Sequence, residues 1–235
     1  MKFAVIGDIH SNLDALKSVY ADIETQDVDF VVSTGDLVGY FLYPNEVVDF
    51  IRQNKVLSIA GNHDQHIANS TPVKAGEMTN DALKAGASAG YTNMVLTPSN
   101  RAYLKGLPQE LTFQVGEFAV KLVHGSPRNI SEYLYEDVDL LQTVSELIHE
   151  NVIISGHTHI PYYRVVNNKH FLNAGSVGKP KHGNPNATYV VVQLEKGLVK
   201  VKIREVAYDY EKLARLVEQS EVVSSQLASM LRVGK

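Results

Sequence analysis

The stretch Phe3-Ala4-Val5-Ile6-Gly7-Asp8-Ile9-His10 decides how this chain is read. Its apolar part is nearly continuous rather than alternating and is too short for a helix, which predicts a strand buried on both faces. The run ends on a glycine and passes at once to two side chains able to bind a metal, Asp8 and His10. Two positions apart, they project to the same side if the extended conformation persists. One carboxylate and one imidazole would then share the C-terminal end of a strand, where open α/β sheets place their sites. Alone, the pattern fits a turn aspartate beside a surface histidine equally well.

It does not stand alone. Phe30 to Thr34 runs into Gly35-Asp36, and Val56 to Ala60 into Gly61-Asn62-His63-Asp64. Phe118 to Val123 runs into His124-Gly125, and Val152 to Ser155 into Gly156-His157-Thr158-His159. Each apolar run ends in Asp, Asn or His with a glycine beside it, and glycine there lets the chain turn sharply and lets loops approach closely. Five of the nine histidines fall in these junctions, which isolated core histidines would not do.

Composition bounds the function classes. At 235 residues with 44% hydrophobic and 20% charged residues, the chain suits one soluble globular domain over 1–235 with a substantial core. Without cysteine it can have no disulfide, thiolate metal site or cysteine nucleophile. No apolar run approaches membrane-spanning length and no signal peptide precedes Asp8, so a cytoplasmic protein with no membrane partner is expected. A net charge of -4 argues against binding polymeric nucleic acid. A small phosphorylated substrate remains compatible, because bound metal ions would dominate the local charge.

Along the chain, Ser11 or Asn12 is expected to cap a helix through Leu13, Leu16, Val19, Tyr20 and Ile23. Pro44 suits the first turn of a second helix, and Tyr40 and Tyr43 are candidates for a pocket mouth. A helical insertion is expected at about 68–107, its Thr71 to Gly90 part a marginal helix. Leu111 to Val115 and Phe118 to Val123 predict a hairpin turned at Gly116-Glu117. Strands are expected at His170 to Asn173, Ala187 to Leu194 and Leu198 to Val206, and a C-terminal helix at about 209–232, with a break near Ser220. The apolar stripe of that helix could pack on its own domain or mediate a homo-oligomer. This order suggests an α/β fold with two sheets, the first mostly parallel and the second mostly antiparallel, flanked by helices.

Asp8, His10, Asp36, Asn62, His124, His157 and His159 supply more oxygen and nitrogen donors than one four-coordinate ion needs. Two ions sharing a carboxylate, at the roughly 3.5–4 Å usual for such sites, is the economical arrangement. Ligation by nitrogen and oxygen alone suits manganese, iron, zinc or nickel better than a structural zinc site. The blocks Gly7-Asp8-Ile9-His10-Ser11-Asn12, Gly35-Asp36, Gly61-Asn62-His63-Asp64, His124-Gly125 and Gly156-His157-Thr158-His159 resemble, in order, the five motifs of the calcineurin-like metallophosphoesterase superfamily. Gly39-Tyr40, Tyr43 to Glu46, His124 to Arg128, Asn173 to Gly178 and the Tyr208-Asp209 helix resemble its small prokaryotic phosphodiesterase branch. Relatives often carry Gly-Pro where this chain has Phe41-Leu42, and Pro where it has Ala174.

The resemblance implies a four-layer α/β/β/α sandwich with two mixed sheets. It also implies two divalent ions, manganese first: one on Asp8, His10 and His159, the other on Asn62, His124 and His157, with Asp36 bridging. A hydroxide bridging the ions would attack phosphorus, and Asn62 would also meet the substrate. His63 would not be a ligand; its implied role is to protonate the leaving oxygen or stabilise the transition state, oriented by Asp64. Arg128 is a candidate phosphate clamp, with a surface salt bridge as the alternative. The expected activity is hydrolysis of small phosphodiesters, including nucleotide-derived ones. The alternatives are a protein or dinucleoside-polyphosphate phosphatase using the same site, a dinuclear hydrolase acting on amides, and a non-catalytic scaffold of the same fold.

Overall fold

The computed structural model describes residues 1–235. In β1 (Lys2–Ile6), alternate side chains take opposite faces, and both faces are buried. Phe3 and Val5 enter a core with Val120, Leu122, Val152 and Ile154 of a second sheet. Ala4 and Ile6 meet Leu16 and Val19 of α1 (Leu13–Glu24) and Val47 and Val48 of α2 (Pro44–Gln53). Asn12 is the cap of α1, its Oδ1 accepting the Ala15 N–H at 3.1 Å.

The first sheet adds β2 (Phe30–Ser33), β3 (Leu57–Ser58), β9 (Ala187–Glu195) and β10 (Leu198–Val206) in the order β10-β9-β1-β2-β3. The second holds β4 (Glu110–Val115), β5 (Phe118–Val123), β6 (Val152–Ser155), β7 (Tyr162–Val166) and β8 (Lys169–Asn173) in the order β4-β5-β6-β8-β7. Neither is mostly parallel or mostly antiparallel. Each has two parallel and two antiparallel pairings: in the second sheet the parallel pairs are central, and in the first they run from β1 to the β3 edge, because the antiparallel β9–β10 hairpin joins the other side of β1 rather than the second sheet. The outer face of the second sheet, through Val123, Ile153 and Phe171, packs on Leu141 and Val144 of α6 (Val138–Ser145), completing four layers.

Between β3 and β4 lie α3 (Asn62–Asn69), α4 (Asn80–Val95) and α5 (Pro98–Lys105). The Ala- and Gly-rich part of α4 does not propagate as one helix: Gly86, Ala87 and Ser88 turn left-handed within it. The C-terminal stretch forms two helices, α7 (Tyr210–Glu218) and α8 (Gln226–Val233), separated around Ser220. Their apolar stripe of Leu213, Val217, Leu227 and Leu231 closes over Phe41 within the same chain, so it is not a free face for a second copy. Between the two candidates for the pocket mouth, Phe41 is fully buried and Leu42 packs beside it, so neither of these side chains lines a substrate mouth. No helix is long and apolar enough to cross a membrane.

Candidate metal centre

The strand ends reach the site by a route that differs from plain extension. β1 stops at Ile6, and Asp8 and His10 both take left-handed backbone conformations, with φ of 49° and 50°. Asp36, His157 and His159 do the same, with φ of 52°, 65° and 60°. Left-handed conformations at non-glycine residues are uncommon and concentrate at functional sites. Close approach of the loops depends on glycine. A Cβ on Gly35 would lie 2.2 Å from the Gly61 nitrogen, and one on Gly61 would lie 2.0 Å from Asp36 Oδ1.

Each buried carboxylate is held by a backbone N–H and turns one oxygen to imidazole. Asp8 accepts the His157 N–H at 3.0 Å through Oδ2, and its Oδ1 lies 3.2 Å from His159 Nε2. Asp36 accepts the His63 N–H at 2.8 Å through Oδ1, at the start of α3 where the helix dipole favours an anion. Its Oδ2 lies 3.3 Å from His124 Nε2 and 3.7 Å from His10 Nε2. Two groupings result, Asp8 with His10 and His159, and Asp36 with His124 and His157. Asn62 Oδ1 lies 2.9 Å from His124 Nε2.

The imidazole tautomers make this a cation site. His10 Nδ1 faces the Val38 carbonyl at 3.2 Å, His124 Nδ1 faces that of Thr34 at 2.8 Å, and His159 Nδ1 faces that of Lys179. A carbonyl only accepts, so each Nδ1 carries the proton and each Nε2 presents a lone pair inward. His10 Nε2 and His159 Nε2 then confront one another at 3.2 Å beside the Asp8 carboxylate. His157 is turned the other way, its Nε2 donating to the Ser131 carbonyl at 3.1 Å and leaving Nδ1 for the interior. Acceptors facing acceptors in a buried space call for a shared positive charge. A proton can supply one: burial disfavours imidazolium, yet the Asp36 charge and hydrogen bond outweigh it and hold His124 at about 9. Burial and the neighbouring His124 bring His157 down to about 4, and burial holds His10 well below its ordinary value.

His63 enters a third grouping, with His10 and Asp36. Unlike those of the other four imidazoles of the site, its ring makes no hydrogen bond; it packs against His10 and Tyr40 at centroid distances of 5.0 and 5.1 Å. Asp64 does not orient it. The Asp64 carboxylate accepts the N–H groups of Leu37 at 2.9 Å, Val38 at 3.2 Å and Gly61 at 3.0 Å, clamping the Asp36 loop to the start of α3. Burial and the Asp36 charge push its pKa up to about 7 against those three donors. Arg128 is an exposed ion-pair residue here, its Nε donating to Glu132 Oε2 at 3.0 Å, so the salt-bridge alternative is the arrangement found.

Tyr40 does reach the site, edge-on to His10 at 4.6 Å, and burial with the Asp36 charge pushes its phenol up to about 12. Three neighbours carry no announcing pattern in the sequence. Tyr133 stacks on the His157 ring at 4.3 Å. Lys179 Nζ lies 5.3 Å from the Tyr40 centroid. Lys181, whose pKa burial lowers, feels the opposing charges of Asp8 and Asp36. The only signal was indirect: Lys179 and Lys181 follow directly on Gly175-Ser176-Val177-Gly178, whose Ser176 Oγ and Gly178 N–H donate to the Asp8 carbonyl at 2.7 and 3.0 Å.

Residues 1–197 match the profile of the calcineurin-like phosphoesterase superfamily domain. An uncharacterised protein of Methanocaldococcus jannaschii is 34% identical over 235 residues, covering 90% of this chain and 91% of that protein. The crystal structure of a metallophosphoesterase from Sphaerobacter thermophilus superposes with a TM-score of 0.85 and 27% identity, over 100% of this chain and 99% of that one. A hypothetical protein of Pyrococcus horikoshii shares the fold, with a TM-score of 0.87, 24% identity, and coverage of 100% and 98%.

Proposed function

This chain belongs to the calcineurin-like phosphoesterase superfamily and is a phosphoric ester hydrolase, and on that premise we propose that it is a dinuclear metal-dependent phosphodiesterase acting on small substrates. The observation that carries the reading is the buried Asp36 carboxylate, turned to both His10 and His124 between two groups of inward-facing nitrogen lone pairs. Asp8, His10 and His159 would hold one ion, Asn62, His124 and His157 the other, with Asp36 common to both. Donors limited to nitrogen and oxygen fit manganese, with iron, zinc or nickel as alternatives. When bound, the ions supply Lewis acidity at the phosphoryl oxygens and hydroxide near neutral pH.

The chain's own residues do the rest. The three backbone carbonyls fix ring orientation and tautomer at His10, His124 and His159, so binding needs little reorganisation. His63 is the proton donor to the leaving oxygen. Its Nδ1 sits against Gly39, where an added Cβ would come within 2.9 Å, which leaves Nε2 as the atom to give the proton. Tyr40 sits between His63 and the Lys179 ammonium, an aromatic wall suited to an organic ester arm.

The reading is tested by metal analysis of the purified protein together with rates on small diesters, monoesters and a phosphopeptide. Two equivalents of divalent metal, manganese-stimulated diesterase activity above monoesterase activity, and complete loss with chelator are expected. A phosphopeptide exceeding every small diester in kcat/KM by more than about tenfold, or about 1.4 kcal/mol, would overturn the diesterase assignment.

A further inference from the structure

The loop joining β5 to α6 carries an aromatic surface continuous with the metal centre. Leu134 points inward and is fully buried, and its carbonyl accepts the Tyr162 hydroxyl at 3.0 Å. Its two neighbours therefore face out: Tyr133 is 45% and Tyr135 46% exposed. Their rings lie nearly parallel, with centroids 5.7 Å apart and planes 7° apart. Tyr133 in turn lies on the His157 ring at 4.3 Å and 29°. Lys181 Nζ lies over the Tyr133 ring, 5.9 Å from its centroid, and the Lys181 N–H donates to the His159 carbonyl at 3.3 Å, which puts a cation where this stack meets the metal centre.

Scattered exposed tyrosines are ordinary on a protein surface. This pair differs in being stacked, fixed and anchored on a side chain of the centre. The loop is held by Ser126 Oγ, which accepts the N–H groups of Arg128 and Asn129 at 3.0 and 3.2 Å, and by the Ser131 carbonyl, which accepts His157 Nε2–H. A tyrosine offers a rigid contact with only two torsions to freeze, so a flat ring can join the stack at low entropic cost. Every nucleobase has a π-face for such a surface. His63 and Tyr40 lie together, and neither makes a ring contact with Tyr133, which belongs to the His157 flank. A leaving oxygen served by His63 therefore puts the retained arm of the substrate toward Tyr133.

We propose that the Tyr133–Tyr135 stack is a subsite for a flat aromatic ring, a nucleobase above all, on the retained arm of the phosphodiester, with Lys181 facing the phosphate. This rests on the phosphodiesterase reading and names its substrate class.

The experiment compares two esters with one leaving group, thymidine 5′-(p-nitrophenyl phosphate) and methyl p-nitrophenyl phosphate, on the manganese-loaded protein. Tyr133→Ala is expected to lower the ratio of their kcat/KM values by about tenfold, the scale of one base stack, and Tyr133→Phe to restore the ratio. Lys181→Met is expected to lower both rates by about tenfold and leave the ratio alone. Equal losses on both esters in Tyr133→Ala, or none, would overturn the subsite; the first would mean that Tyr133 only props His157. If the unaltered protein cleaves neither ester, the phosphodiesterase reading fails, and calorimetry then decides the subsite separately. Thymidine 5′-phosphate binding about tenfold more weakly to Tyr133→Ala, with inorganic phosphate unaffected, sustains it. Parallel changes, or no binding of thymidine 5′-phosphate to the unaltered protein, reject it.

Discussion

His63 shares a grouping with His10 and Asp36, so its role as proton donor rather than ligand can be tested directly by setting His63→Gln beside Asp36→Asn. Asp36→Asn should keep the fold. The amide oxygen can still accept the His63 N–H now made at 2.8 Å, and the amide nitrogen can donate to His124 Nε2, 3.3 Å from the present carboxylate oxygen. That new hydrogen bond occupies the lone pair a cation would use, and the one carboxylate charge that faces both His124 and His10 disappears. Losing a residue that only orients a ligand typically costs about 10- to 100-fold in metal affinity, so losing a carboxylate proposed to be shared by two ions should cost more. His63→Gln removes a ring with no hydrogen bond and contacts to two aromatic neighbours. Metal content should stay at two equivalents. Turnover should fall by about 10²–10⁴, the range for a lost general acid, or about 2.7–5.5 kcal/mol in the barrier. Elemental analysis after dialysis and initial rates on the same preparations decide the matter. If His63→Gln loses metal as severely as Asp36→Asn, His63 is a ligand and the reasoning from its unanchored ring is wrong.

Gly61→Ala puts a methyl group 2.0 Å from Asp36 Oδ1 and 2.3 Å from its backbone nitrogen, so metal content should fall as in Asp36→Asn and Tm should drop by several degrees; an unchanged melting curve would show that the loops can part. His66 and His149 are exposed, His170 is hydrogen-bonded to the Tyr163 hydroxyl at 2.8 Å, and His182 lies 3.8 Å from Glu205; His→Ala at any of the four should leave metal content intact, and a lost ion would contradict the ligand set. Asp22 is held below the ordinary carboxylate range chiefly by its hydrogen bonds from Arg204 at 2.7 and 2.8 Å, despite partial burial and with help from the Tyr189 hydroxyl. A depressed folded-state pKa gives stability that is present above the unfolded value of about 3.9 and is lost as pH falls below it. Asp22→Asn should therefore cost about 1–2 kcal/mol in urea denaturation at pH 7, with the gap to the unaltered protein narrowing below about pH 4; a gap independent of pH would refute the ion-pair account.

The parts of this molecule legible in sequence were those written in scarce residue types. Carboxylates and imidazoles are seldom repeated at the ends of apolar runs unless they meet at a common site, and Asp8, His10, Asp36, His124, His157 and His159 do converge. Pairings between distant elements were less legible. The run Tyr162 to Val166 followed by Asn167-Asn168 has the composition of a strand entering a hairpin, yet it was masked by its nearness to the His157 motif. The β9–β10 hairpin was visible locally, while its partner β1 lies far away in sequence. Asp64 looks like a histidine's carboxylate partner because it follows His63, but at the third position of α3 its reach is to the Gly61 N–H. Tyr133 and Lys181 sit in irregular loops where no period marks which side chains face a site.

Left-handed backbone at the ligand positions carries the last step. A left-handed residue other than glycine costs about 1–2 kcal/mol, so Asp8, His10, Asp36, His157 and His159 together hold about 5–10 kcal/mol of local strain. That is comparable with the whole stability of an ordinary domain, about 5–15 kcal/mol. The opposing free energy must come from elements that cannot relax, and it is visible around Asp8. Its N–H donates to the Gly35 carbonyl at 3.0 Å, and its carbonyl receives Ser176 Oγ–H and Gly178 N–H, while Phe3 to Ile6 just before it are wholly buried. Around Asp36, three N–H groups are tied to the Asp64 carboxylate, including those of Leu37 and Val38. The loops are therefore held in a high-energy conformation by two sheets and a ring of backbone hydrogen bonds, so inward-facing lone pairs are a property of the fold itself. Donor positions fixed in this way depend on close contact between the loops, and for that reason the glycines at their seams, Gly35 and Gly61, admit no side chain.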